Sequence, residues 1–131
     1  LFPLFKLHPI MLLNLSNHPS DLWSENQKKI AVKSYGAISD LPFPAISPEW
    51  DTEQVMDLAE EYLMKVTAYK DILAVHIQGE FTFTFALVHM LQNANIKCIV
   101  STTKRIVHMK KDGSKISRFK FIQFRDYPLL H

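Results

Sequence analysis

A single cysteine, Cys98, stands among the 131 residues, so no disulfide can form within the chain and a cross-linked secreted framework is excluded. Cys98 lies in the apolar run IKCIV with no activating motif beside it, so it reads as a small hydrophobe in a protein of a reducing, cytoplasmic compartment. Glycine is almost as scarce. Neither G-x-G-x-x-G nor G-x-x-x-x-G-K-[ST] occurs, which excludes the usual dinucleotide fingerprint and the P-loop. Long apolar runs are missing too. The segment LFPLFKLHPI is interrupted by Pro3, Lys6, His8 and Pro9, so it is too short to span a membrane. It also lacks the basic start and small-residue cleavage site of a signal peptide. The histidines (His8, His18, His76, His89, His108 and His131) are not spaced as metal ligands, and no metal or cofactor is expected.

A large charge excess is absent as well, since the net charge is only +2. That is too small to mark a nucleic-acid binder by itself, and no long nucleic acid is expected as a partner, but the charges are unevenly placed. From Lys97 to Arg125 the chain carries Lys104, Arg105, Lys110, Lys111, Lys115, Arg118 and Lys120 against one acid, Asp112. Residues 49–61 hold Glu49, Asp51, Glu53, Asp57, Glu60 and Glu61 and no base. The last third therefore presents a positive field, either as a solvated basic hairpin or as a surface for an anion.

Strands and helices alternate along the chain. Met11 opens a short apolar strand at 11–16, which Pro19 and the polar cluster HPSD end. Ser24 with Gln27 matches a capping box, and the helix that follows stops at Gly36. Residues 37–41 form a second strand, and the three prolines of PFPAISPEW require an extended loop. Asp51 with Gln54 caps a strong amphipathic helix. The near-continuous apolar run ILAVHI suits a central parallel strand covered on both faces. Residues 81–92 form a helix apolar almost all round, either deeply buried or part of a subunit interface. IKCIV is the fourth strand. After STTKR, two strands flank Asp112-Gly113, a strong hairpin signal.

The expected fold is therefore α/β: one Rossmann-like three-layer domain over residues 11–131, with a mainly parallel sheet and a C-terminal β-hairpin. Residues 1–10 read as a leader or appended extension, or as an extra edge segment. In such sheets ligands bind beyond the carboxyl ends of the strands, where strand order reverses. That nominates three loops. Ser16, Asn17 and His18 follow the first strand, where they either meet a ligand or cap the next helix. Gln78, Gly79, Glu80 and Thr82 follow the third. There Gly79 permits close backbone approach, and Glu80 is either a general base or a favourable charge at the helix start. Phe81 between them is assigned to the core rather than to base stacking. Ser101, Thr102, Thr103, Lys104 and Arg105 follow the fourth strand, a set of hydroxyls and cations suited to phosphate. His18, Lys104 and Arg105 are the candidates for a chemical step. His76 and His89, in apolar surroundings, read as core or interface residues.

Three stretches, LLNLSNHP, VHIQGEFTFTFALVHMLQ and CIVSTTKRIV with the later DGS and FKFIQFRDY, carry a resemblance across residues 11–127. The chain resembles the small Rossmann-like, CARF-like accessory proteins of type III CRISPR systems. The resemblance implies a homodimer that binds a cyclic oligoadenylate signal across its two-fold axis. Some such proteins cleave the ring as metal-independent nucleases. On this reading Ser16, Asn17, Gln78, Gly79, Thr102, Lys104 and Arg105 face the ligand. Two other readings stay open. One is a small Rossmann-like enzyme or sensor for another phosphorylated metabolite, and the other is a non-catalytic protein-interaction subunit.

Overall fold

The computed structural model describes residues 10–130, so the expected leader lies outside the described residues except for Ile10. The elements run β1 (Met11–Ser16), a 3-10 turn (Ser20–Leu22), α1 (Glu25–Tyr35), β2 (Ala37–Asp40), α2 (Thr52–Thr67), β3 (Ile72–Gln78), α3 (Phe81–Asn93), β4 (Cys98–Met109) and β5 (Lys115–Asp126).

Local chemistry accounts for most boundaries. Asp51 accepts from Gln54 N at 2.9 Å while Gln54 Oε1 accepts from Asp51 N at 3.0 Å, a complete capping box at the head of α2. Ser24 accepts from Gln27 N at the head of α1, but the Gln27 side chain is turned elsewhere. Gly36 ends α1 at a φ of +92°, where a Cβ would overlap the Ile10 carbonyl.

The strands form one α/β sheet in the order β2-β1-β3-β4-β5. The first four are parallel, and β5 returns antiparallel along β4. β3 is thus the central strand, as its apolar sequence predicts. The chain crosses from β1 to β2 on one side and to β3 on the other, so strand order reverses at the β1–β3 seam. Alternate residues face opposite cores. Leu13, Leu15, Val75, Ile77 and Cys98 pack with α2 and α3, whereas Leu12, Ala74 and Ile99 pack with Trp23 and with Ala31 of α1.

The fourth strand and the first hairpin strand are one element, which corrects the expected separate loop at 101–105. STTKR contains no glycine or proline to break the strand, and its threonines favour extended backbone. β4 pairs with β3 only through Val75–Cys98 and His76–Ile99. It then parts from the sheet and continues with β5 as a two-stranded ribbon. No helix among the described residues is long and apolar enough to cross a membrane.

Candidate functional site

The parting of β3 and β4 opens a cleft of about 450 Å³ above the α1 face of the sheet. His18, Trp23, Gln27, His76, Gln78, Ser101, Thr103, Phe119 and Phe121 are among its lining residues. No Asp, Glu, Lys or Arg lines it. Where β4 leaves its neighbour, the Ser101 N–H has lost its ladder partner and donates instead to Gln78 Oε1 at 3.3 Å.

Under this cleft lies a polar chain inside otherwise apolar strands. Parallel register sets Asp40, Asn14 and His76 side by side on β2, β1 and β3. Asn14 and His76 are each only 2% exposed. Asn14 Nδ2 donates to Asp40 Oδ1 at 2.8 Å and to the His18 carbonyl at 2.9 Å. Both partners only accept, so the amide orientation is fixed and Oδ1 must face His76 Nδ1, 2.8 Å away. An amide oxygen cannot donate, so Nδ1 carries the proton. His76 Nε2 is then the acceptor for the Ser101 hydroxyl at 2.7 Å. Gln27 Nε2 donates to the same hydroxyl oxygen at 3.1 Å, which is why it does not complete the cap of α1.

Electrostatics follow the geometry. Burial, with His18 nearby, lowers the His76 pKa to about 4, so the ring is neutral at neutral pH. Burial alone would raise the Asp40 carboxyl, but hydrogen bonds from Ser20 and Asn14 outweigh it and hold the group below its ordinary value. Trp23 and Phe124 meet the His76 ring edge-on at centroid distances of 5.2 and 5.6 Å and shield it from water.

The residues expected at the rim divide into several groups. Ser16, His18, Gln78, Ser101 and Thr103 come together at the cleft or in its floor. Asn17 is exposed beside them, its N–H donating to the Gln78 carbonyl. Thr102 Oγ1 donates to the Gln123 carbonyl. Lys104 and Arg105 lie outside the cleft lining, on the exposed ribbon, where the Arg105 guanidinium donates to Ser117 Oγ. Gly79 has close backbone approach, but Phe43 supplies it, because a Cβ there would overlap the Phe43 ring. Glu80 is the N-cap of α3, accepting from Thr82 N, Phe83 N and Thr82 Oγ1. Phe81 is not in the core. It is 89% exposed, because residues 83, 84, 87, 88 and 91 take the inner face of α3. His89 is exposed beside it, whereas Cys98 packs in the core with its thiol pushed up to about 12 by burial.

The sequence reading missed Asn14, Asp40, Gln27 and the aromatic walls Trp23, Phe119 and Phe121. The available signal was a polar residue at one level of each apolar strand, Asn14 in MLLNLS and His76 in ILAVHI. Among the described residues, no group of three His, Cys, Asp or Glu side chains is placed to hold a metal.

Searches among curated proteins and among solved structures find no match to the chain. The model of the uncharacterized protein MJ1673 family matches residues 10–125, and the chain belongs to that family.

Proposed function

We propose that the chain is a nucleotide-binding protein of Rossmann-like, three-layer build that takes an oligoadenylate signal of the type III CRISPR kind in the β3–β4 cleft. The carrying observation is the contrast between the cleft and the ribbon beside it. The cleft is uncharged, walled by Trp23, Phe119 and Phe121, and supplied with the amides of Gln27 and Gln78. That combination suits a nucleobase, stacked on an aromatic face and read along its edge. On the ribbon next to Thr103, the exposed Arg105 pairs with Phe119 and shares the strand face that lines the cleft, a cation for the phosphates, while Lys104, Arg118 and Lys120 on the other face add to the positive field. A phosphate held in the cleft itself would lack a cation, so base-in, phosphate-out is the orientation this site favours. Phe119, 69% exposed at the mouth, has the free face that stacking needs.

The same reading makes the protein a cytoplasmic homodimer. Supporting it is the outer face of α3, where Phe81 and Phe85 are 89% and 78% exposed over an apolar groove with Met56 and Trp50.

Thermal shift against cyclic tri-, tetra- and hexa-adenylate, ATP, NAD and inorganic phosphate tests the assignment. Ligand at 100 times its Kd stabilises a fold by about 2.7 kcal/mol, a readily visible shift. We expect one adenylate ring to stabilise the protein. Phe119→Ala should weaken that effect at every ionic strength, and Lys104→Ala with Arg105→Ala should weaken it most at low salt. A shift with ATP or NAD alone would favour a metabolite sensor, and no shift with any nucleotide would sink the assignment.

A further inference from the structure

We infer that Ser101 is the nucleophile of an ester-hydrolysing site, with His76 as its base and Asn14 as the group that orients the base. The inference does not rest on the nucleotide reading, since it concerns the floor of the cleft whatever ligand occupies the mouth. Three observations carry it. The Ser101 hydroxyl, the His76 ring and the Asn14 amide form one continuous chain at 2.7 and 2.8 Å. The hydrogen-bond directions in that chain are fixed, because the Asp40 carboxylate and the His18 carbonyl leave Asn14 only one orientation. Finally, the chain ends at an accessible hydroxyl, for Ser101 lines the cleft and is partly exposed, whereas His76 and Asn14 behind it are each only 2% exposed. A purely structural network would satisfy itself inside the core. This one delivers a lone pair to a serine at the surface of a cavity.

The step balances without any further reactant than water. Ser101 Oγ bonds to the carbonyl carbon of the ester as its proton passes to His76 Nε2. The developing oxyanion needs donors. Gln27 spends one amide hydrogen on Ser101 and keeps another, and the Gln78 amide, its oxygen held by Ser101 N, lines the same cleft. Collapse breaks the bond to the alcohol oxygen, which leaves with the proton from His76 Nε2 and produces an acyl-Ser101. Water then attacks that ester, giving its proton to His76. Ser101 departs, recovers the proton, and the acid is released. During each transfer the imidazolium donates through Nδ1 to Asn14, whose amide is anchored on the Asp40 carboxylate. The uncharged lining and the aromatic walls select a neutral ester with a flat aromatic or heteroaromatic part.

A fluorophosphonate probe tests the assignment on the intact chain, with the site of the adduct read by peptide mass spectrometry. The expected result is one adduct, on Ser101, absent from Ser101→Ala and unchanged in Ser114→Ala at the hairpin turn. The rate should be flat between pH 6 and 8, where His76 is already unprotonated; an unassisted hydroxyl would react in proportion to hydroxide. His76→Asn should slow labelling by about a hundredfold or more. Where that variant does not fold, the pH profile of the native chain decides. With p-nitrophenyl acetate the native protein should release p-nitrophenol in a burst of one equivalent that Ser101→Ala lacks. No adduct on Ser101 in folded protein, an adduct elsewhere, or a rate that tracks hydroxide would each overturn the assignment, whatever the adenylate rings do.

Discussion

His76 on β3 and Asn14 on β1 face each other across one level of the sheet, with Nδ1 and Oδ1 2.8 Å apart and both side chains closed off from solvent. An imidazole buried in this way is tied to one tautomer and resists protonation. The pH dependence of folding should show it. The unfolded ring takes up its proton near its ordinary 6.5 and the folded ring only near 4. Between those values the unfolded chain binds more protons, so stability falls as the pH falls. The contribution of the neutral buried ring is fully present above about 6.5 and fully lost below about 4, and it amounts to about 3 kcal/mol. Urea midpoints at fixed ionic strength from pH 4 to 7 check this, and a flat curve across that window would contradict the buried, neutral ring.

Asn14→Ala removes the acceptor from His76 Nδ1, the donor to Asp40 and the anchor for the His18 carbonyl. Leaving a buried N–H unmatched costs about 1–3 kcal/mol, and loss of the His18 carbonyl contact adds to it. The His76 ring would also be free to change tautomer, so the Ser101 hydroxyl would lose its fixed acceptor. We expect a lower urea midpoint with unchanged slope and, in the fluorophosphonate assay, slower labelling of Ser101 even at temperatures where the variant is fully folded.

Gly79→Ala should destabilise by about 1–3 kcal/mol, the range for forcing extra volume into a packed site. The added Cβ would overlap the Phe43 ring, which itself packs edge-on to Phe83 at 5.3 Å. Phe43→Leu removes the obstruction, so Gly79→Ala should cost much less in that background. A double-mutant cycle measures the coupling. Equal costs in the two backgrounds would mean that the glycine is needed for some other reason.

The elements were legible because their signals are local. Asp51 and Gln54 cap α2, Gly36 ends α1, and Asp112-Gly113 turns the hairpin, each visible within a few residues. The α/β alternation and the central place of ILAVHI follow from strand composition. The site was only half legible. Carboxyl-end loops could be nominated from the order of elements, and Ser16, His18, Gln78, Ser101 and Thr103 do meet at one cleft. Strand register, however, is a non-local property. Nothing near Asn14 or His76 in sequence says that Asp40, 26 residues from Asn14, and Ser101, 25 residues from His76, complete their hydrogen bonds. Lys104 and Arg105 were drawn into a phosphate loop by their neighbours in sequence, whereas strand continuation past Ile99 carries them out onto the ribbon. Phe81 was assigned to the core on hydrophobicity alone, which cannot tell the inner face of α3 from the outer.

That outer face gives the last prediction. Phe81, Phe85 and His89 follow one another at four-residue intervals, so they share one side of α3, above Met56 of α2. Phe81 and Phe85 touch little of their own chain. Phe85→Asp should therefore leave the stability of a single chain within about 0.5 kcal/mol, as exposed substitutions do. If two copies meet on this face, the same change places a charge in an apolar interface twice over, once from each subunit, and association should collapse. Light scattering coupled to gel filtration separates the outcomes. A native mass of two chains that falls to one in Phe85→Asp assigns the face to self-association. A native mass of one chain at micromolar concentration would remove the two-fold arrangement that the cyclic-ligand reading requires, whereas a dimer indifferent to Phe85→Asp would remove only α3 from the interface.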